Sequence, residues 1–231
     1  TIELSSILNS SSIVAVGFLI SGTLSIVTRI VLARFLEPAG YGLISEGLAA
    51  LSILTILSVL GTEAGVSRFM SRDGNHRNLV ESALTLVLPL SIVFTIVSLA
   101  NLELVVSIFN EPALAPVLEA LILNVPAAAA LTIFLGGFRG HEETFQKMLI
   151  SMVLLPASIL FLSLALIFMY GTTAMAAYGY TLSGWISALI AGIWYFLRFG
   201  LAKPSLKETK SLLKFSLPLG FKSILSFGTK W

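Results

Sequence analysis

Charge is scarce in this sequence. Of 231 residues, 11% are Asp, Glu, Lys or Arg, against roughly 25% in soluble domains. Hydrophobic residues make up 56%, and mean hydropathy is +0.96. So few polar groups cannot cover a water-facing surface, which excludes a soluble globular protein. Cysteine is absent, which excludes disulfides, thiolate nucleophiles and cysteine-ligated metals. Aspartate occurs once, at Asp73, and histidine twice, at His76 and His141, in separate connections. This excludes the Asp-rich metal sites of membrane glycosyl- and prenyltransferases and leaves no histidine pair close in sequence. The His-Glu-x-x-His, Gly-x-Ser-x-Gly, Walker and Rossmann signatures are missing as well. The expectation is a protein that is not an enzyme, with no catalytic residues, no metal and no cofactor. The N-terminal stretch lacks the basic flank and bounded apolar core of a cleavable signal peptide.

What is present is a series of long apolar runs. A spanning helix needs about 20 apolar residues, and six runs meet that length, at about 12–33, 43–66, 81–101, 115–137, 147–169 and 174–197. A seventh opens near 211 and is still apolar at Trp231. The runs are too long for barrel strands and show no period-two alternation. The predicted fold class is an all-α membrane protein: six transmembrane helices plus the start of a seventh. Because the chain begins at Thr1 without methionine and stops within an apolar run, a fragment is expected. The segment "TIELSSILNSSS" has the pattern of an interfacial helix leading into the first span.

Basic residues are unevenly distributed. The connections after helices two, four and six, with their flanks, hold ten of the fourteen Lys and Arg; those after helices one, three and five hold Arg34 alone. The positive-inside rule then puts the N-terminus and the even connections in the cytoplasm of a multi-pass cell-membrane protein. These cations are topology signals, and no nucleic-acid partner is expected.

Charges inside the spans carry the functional information, because burying them in hydrocarbon costs at least about 2.5 kcal/mol each. Four stand out. Arg29 ends a polar stripe, Ser21, Gly22, Ser25, Thr28, Arg29, whose three- and four-residue spacing puts it on one helix face. It lies roughly 9 Å below the outer boundary. There it either lines a wet cavity or snorkels to the headgroups. Glu46 enters helix two at a similar depth, so an Arg29–Glu46 ion pair is one expectation. Glu63 sits in "GTEAG", where Gly61 and Gly65 form a small-xxx-small packing motif; Glu63 itself is a candidate for binding a coupling proton or cation. Lys222 lies roughly 16 Å into helix seven, near the midplane and one turn after Pro218. A proline-interrupted helix with a midplane cation is what a transporter site looks like. Pro89, Pro126 and Pro156 also fall within spans, where neighbouring helices must satisfy the freed backbone.

Four segments resemble the polysaccharide-unit flippases (Wzx type) of the MATE-like MOP superfamily. "TRIVLARFLEPAGYG" matches the helix one–two region, with Arg29, Leu32, Ala33, Arg34 and Leu36, then Pro38, Tyr41 and Gly42. "LGTEAGVSRFMSR" matches the close of helix two, "FRGHEETFQKM" the connection between helices four and five, and "LLKFSLPLGFKSIL" the opening of helix seven. The resemblance implies an N-terminal lobe at 1–197, an inter-lobe linker at 198–210, and a truncated second lobe starting at 211–231. It implies alternating-access transport of lipid-linked saccharides, with membrane lipids as partners and Na+ or H+ as a coupling ion. Arg29 and Lys222 become cleft cations for the anionic headgroup. The runner-up is a cation-coupled multidrug exporter of the MATE type, using Glu46 or Glu63. A third reading is a non-transporting membrane scaffold subunit.

Overall fold

The computed structural model describes residues 2–73 and 78–227, with side chains from 14 to 71, 78 to 216 and 218 to 220. Every regular element among them is helical. In chain order these are α1 (Ile2–Val59), α2 (Thr62–Asp73), α3 (Leu79–Ala100), α4 (Leu102–Phe109) and α5 (Ala115–Ile122) after a 3₁₀ turn at Pro112–Leu114. There follow α6 (Val125–Gly140), α7 (Thr144–Met148), a π-helical stretch (Leu149–Leu154), α8 (Leu155–Tyr170), α9 (Thr173–Phe199) and α10 (Leu206–Phe227).

Residues 34–42 separate the first two apolar runs and hold Pro38, Gly40 and Gly42, a composition that predicts a connecting loop. Instead they are helical apart from Glu37, whose φ 59° and ψ 167° break α1 in two. Proline is preorganised for the first turn of a helix, so Pro38 opens the second span at once. The two arms run antiparallel, as their neighbours show. Along the first arm, Gly17 meets Met148 and Phe35 meets Phe168; along the second, Gly40 meets Thr173, and Glu63 in α2 reaches Arg139. The 46-residue stretch Val14–Val59 is thus two spans. With Leu79–Ala100, Thr144–Tyr170, Thr173–Phe199 and the pair Pro112–Ile122 and Val125–Gly140, bent by 46°, the described residues hold six, and α10 is a seventh helix. Residues 102–114, expected as a plain connection, contain α4, none of whose residues is buried.

Three breaks shape the spans. Leu60 and Gly61 take positive φ, 48° and 72°, and separate α1 from α2. In the fifth span, Pro156 lies two residues after the end of the π-helical stretch, as expected where a missing N–H and a ring clash disturb the preceding turn. In the fourth span, Leu123 and Asn124 divide α5 from α6, with Pro126 at the start of α6. This break frees backbone carbonyls, and side chains from two other spans satisfy them. Thr181 donates to Ala120 O (2.6 Å), Trp185 Nε1 to Leu123 O (3.1 Å), and Thr95 shares with Ile122 O (3.4 Å) the proton it gives to Ser91 O (2.9 Å). Each buried carbonyl left unpaired would cost about 1–3 kcal/mol, so these donors make the bend tolerable in a membrane. Asn124 Oδ1 is buried and accepts no hydrogen bond among the described residues.

Two apolar clusters hold the bundle together. One, at the end where the basic connections lie, gathers Val66, Met70, Leu79, Phe138, Tyr195 and Leu212; the other gathers Leu32, Ile44, Leu114, Leu118, Leu121 and Ala176. Large apolar side chains also cover the outside: Leu197 is 82% exposed and Phe168 70%. In water that would be an aggregation surface; against hydrocarbon it is the expected exterior. Glycines bring helices close; the tightest approach to a neighbouring backbone is at Gly179, where an added β-carbon would stand 2.5 Å from Ser163 Cα.

At the basic end, residues 200–205 connect α9 to α10 and are fastened to the start of α3. Ala202 N–H donates to Glu81 Oε1 (3.0 Å), Ser205 N–H to Ser82 Oγ (2.9 Å), and Thr209 Oγ1 to Ser82 O (3.5 Å). The Gly61–Gly65 motif packs directly on α10: β-carbons there would meet Gly220 N at 2.8 Å and Ser216 Oγ at 2.8 Å.

Candidate functional site

A cavity of about 440 Å³ opens between the first, second, fifth and sixth spans. Ser25, Thr28 and Arg29 line it from the first; Tyr41, Ile44, Ser45 and Leu48 from the second; Leu155, Pro156 and Ile159 from the fifth; Tyr180 from the sixth. The polar stripe on the first span therefore turns its Ser25, Thr28 and Arg29 towards the cavity. Thr28 and Ser45 spend their hydroxyl protons on their own helices, donating to Leu24 O (2.7 Å) and Tyr41 O (3.0 Å). Arg29 is exposed, and no acidic residue is among the lining side chains. The cavity thus carries one formal positive charge beside two phenol groups. In a low-dielectric setting that favours an anion, and a guanidinium suits phosphate oxygens through its planar fork.

The expected Arg29–Glu46 ion pair is not formed among the described residues. Tyr41, Ile44, Ser45 and Leu48 define the cavity face, and at 3.6 residues per turn Glu46 falls on the opposite side of its helix, where it is exposed. Similar depth on adjacent helices did not guarantee a shared face. Glu63 is instead paired with Arg139 at the end of α6, at 3.1 Å, and packs against Gly136. Arg139 was missed as its partner because it read as a topology signal in a connection, 76 residues away. For Lys222, the backbone lies in α10; its side chain is outside the described residues.

Polar groups that sequence inspection passed over gather at the basic end. Glu81 is buried (7% exposed) at the start of α3. His141 stacks on Phe199 with ring centroids 3.8 Å apart, and its Nε2 lies 3.3 Å from the Tyr195 hydroxyl. Burial lowers the His141 pKa below its usual value, and the neighbouring Glu143 carboxylate opposes that shift. A depressed histidine pKa means the unfolded state binds the proton more tightly. The contribution to stability is complete above about pH 6.5 and is lost as pH falls through the folded value. The melting temperature is therefore expected to decline slightly between pH 7 and pH 5. In His141→Phe, which keeps a ring on Phe199 but does not titrate, that part of the decline should vanish. An unchanged pH profile in the variant would refute the assignment. Among the described residues, no three His, Cys, Asp or Glu side chains converge as a metal site.

The family model described as polysaccharide biosynthesis protein matches residues 7–229. Three solved structures share the fold. A MOP superfamily transporter from Pyrococcus furiosus, whose binding pocket of reverse polarity suggests a different function, superposes with a TM-score of 0.76 at 21% identity, covering 94% of this chain and 52% of its own. A multidrug resistance MATE family transporter of the MOP superfamily in an outward-facing conformation gives 0.75 at 20% identity, covering 93% and 52%. A MATE protein in complex with MaD5 gives 0.67 at 22% identity, covering 91% and 52%. This chain thus spans about half the length of each. No curated protein matches it.

Proposed function

We propose, for a chain that belongs to the polysaccharide biosynthesis protein family, that it takes part in flipping lipid-linked saccharides across the cell membrane. Residues 1–197 are one lobe, 198–210 a cytoplasmic linker, and 211–231 the opening of a second lobe. The N-terminus is cytoplasmic, as the basic connections favour. The observation that carries this proposal is the Arg29 cavity, which has one cation and no carboxylate in its lining. Arg29 receives the phosphate oxygens of the headgroup while the lipid tail stays in hydrocarbon. Lys222 is a second cation on the path. Alternating access exposes the cavity to one side and then the other.

A multidrug exporter coupled to Na+ or H+ is the second reading, favoured by the MATE-like fold. It needs a carboxylate free to take up the coupling ion. The pairing of Glu63 with Arg139 and the position of Glu46 away from the cavity weigh against it.

The test is export of lipid-linked saccharide in cells that depend on this protein. Arg29→Ala should lower export about tenfold or more, the scale of a lost charge-assisted contact, at normal protein levels. Arg29→Lys should retain part of it. Full export by Arg29→Ala would overturn the proposal, and abolition of drug efflux by Glu63→Gln would favour the exporter.

A further inference from the structure

The end of the bundle opposite the basic connections has a cavity of its own, of about 450 Å³, between α4 and the 3₁₀ turn that follows it. Its walls are mostly apolar, from Leu102 and Val106 of α4, Pro112 of the turn and Ala115 of α5. Two carboxylates, Glu103 and Glu111, join them, and no cation is among the lining side chains. Glu111 Oε1 accepts the Ala113 N–H (3.4 Å) and caps the turn. Glu103 makes no ion pair and no side-chain hydrogen bond among the described residues. Nor is a partner close in sequence: Lys, Arg and His are all absent between Arg77 and Arg139.

The depth of the cavity follows from the length of the third span. α3 starts at the basic end and has 22 residues, which at 1.5 Å each rise about 33 Å. The hydrocarbon core is about 30 Å thick. α4, beginning just after Asn101, therefore starts at the headgroup boundary. Its side chains sort accordingly. Leu102, Val105, Val106 and Phe109 pack on the apolar cluster at this end. Leu104 and Ile108, one turn apart, are 64% and 73% exposed. Glu103 lies on a third stripe between these two. One apolar stripe on the protein, another left bare and a carboxylate between them suit a helix at the boundary of hydrocarbon and water.

Charge and shape together select the occupant. A hydrated monovalent cation gains nothing from the apolar walls. Ca2+ takes roughly six to eight oxygens, and among the described residues no three His, Cys, Asp or Glu side chains converge. A lipid with a primary ammonium headgroup satisfies both halves of the cavity. An ammonium has three N–H donors for the carboxylates, and the upper part of the lipid chains lies on the apolar walls. An anionic lipid is repelled, and a quaternary ammonium has no N–H to donate.

We propose that the cavity between α4 and the 3₁₀ turn binds an aminophospholipid of the leaflet at that end, with Glu103 as the main acceptor and Glu111 as the second. The bound headgroup ties α4 to Pro112–Ile122, the half of the fourth span that ends at the Leu123–Asn124 break. It makes the firmness of that half-span depend on lipid composition. The site lies apart from the Arg29 cavity and does not rest on the flippase reading.

The experiment titrates the full chain, purified in detergent, with phosphatidylethanolamine and phosphatidylcholine of identical chains, and reads bound lipid by native mass spectrometry. The ethanolamine lipid should bind about fivefold more tightly than the choline lipid, the upper range for a solvent-exposed ion pair. Glu103→Gln should abolish that preference, and Glu103→Asp should keep part of it. Because Glu103 bonds to nothing within the protein, Glu103→Gln should melt like the parent in lipid-free detergent. Added ethanolamine lipid should then raise the melting temperature of the parent and not of the variant. Equal binding of the two lipids by the parent, or an undiminished preference in Glu103→Gln, would overturn the site. Loss of the parent's preference on adding EDTA would overturn it too, by assigning the cavity to a divalent cation.

Discussion

Gly179→Leu is expected to lower the melting temperature of the purified protein by about 6–12 °C. The position belongs to α9, and the space a side chain would need is occupied by backbone. A β-carbon there would stand 2.5 Å from Ser163 Cα and 2.6 Å from Ser163 N. A flexible neighbour could swing aside, but Ser163 lies mid-helix in α8, and its hydroxyl already donates to Ala176 O across the same interface (3.1 Å). Relief therefore requires moving one span away from the other. Overpacking costs typically 1–3 kcal/mol, and a backbone obstacle places this case at the upper end. For a chain of this length, each kcal/mol shifts the midpoint by about 2–4 °C. Gly22→Ala serves as control, since nothing lies within 4 Å of its added carbon. Equal melting of Gly179→Leu and Gly22→Ala would show that α8 and α9 do not depend on this contact.

Gly61→Val should undock α10. Gly61 has φ 72°, a region that costs an L-residue roughly 1–2 kcal/mol and a β-branched one more. Its β-carbon would also press on Gly220 N, Ser216 O and Leu219 C at 2.8, 3.0 and 3.1 Å, all backbone atoms of α10. Both penalties act at the joint between α1 and α2. The absence of native cysteine gives a clean assay. Phe69 and Phe215 stack edge-on at 5.3 Å between ring centroids, so a Phe69→Cys, Phe215→Cys pair should be bridged efficiently in the parent protein by a short bifunctional thiol reagent that spans the space of the two lost rings. Adding Gly61→Val should reduce cross-linking several-fold. Retained cross-linking would mean that α10 is held elsewhere, with the bonds to Glu81 and Ser82 as the obvious alternative.

Much of the architecture was legible in the sequence, because hydrocarbon imposes a length and polarity requirement that apolar runs record directly. The Gly61–Gly65 pair announced a close approach, which α10 makes. The details that failed are those set by how helices meet. Glu37 reduced an expected loop to a single residue, because Pro38 needed no lead-in. Glu46 missed Arg29 because depth along a helix says nothing about which face a neighbour presents. Glu63 found Arg139 because the first turn of α2 lies beside the last turn of α6, a fact of topology with no trace in local spacing. The polar stripe containing Arg29 was readable because its periodicity lies within one helix; the Tyr180 that completes the cavity came from 151 residues away.

The fastening of residues 200–205 to α3 bears on the order in which the protein is made. Glu81 must wait for Ala202, 121 residues later. At roughly 5–20 residues per second, that is about 6–24 s of synthesis, during which the carboxylate destined for burial has no backbone partner. Ser82 waits slightly longer for Ser205. The rest of the third span and three further spans are made in that interval. The basic end of the bundle is therefore sealed late, by the segment leaving the sixth span. A ribosome stalled before residue 202 would leave that end open to quality-control proteases while the opposite end, with Leu32, Ile44 and Leu118 already in place, had closed.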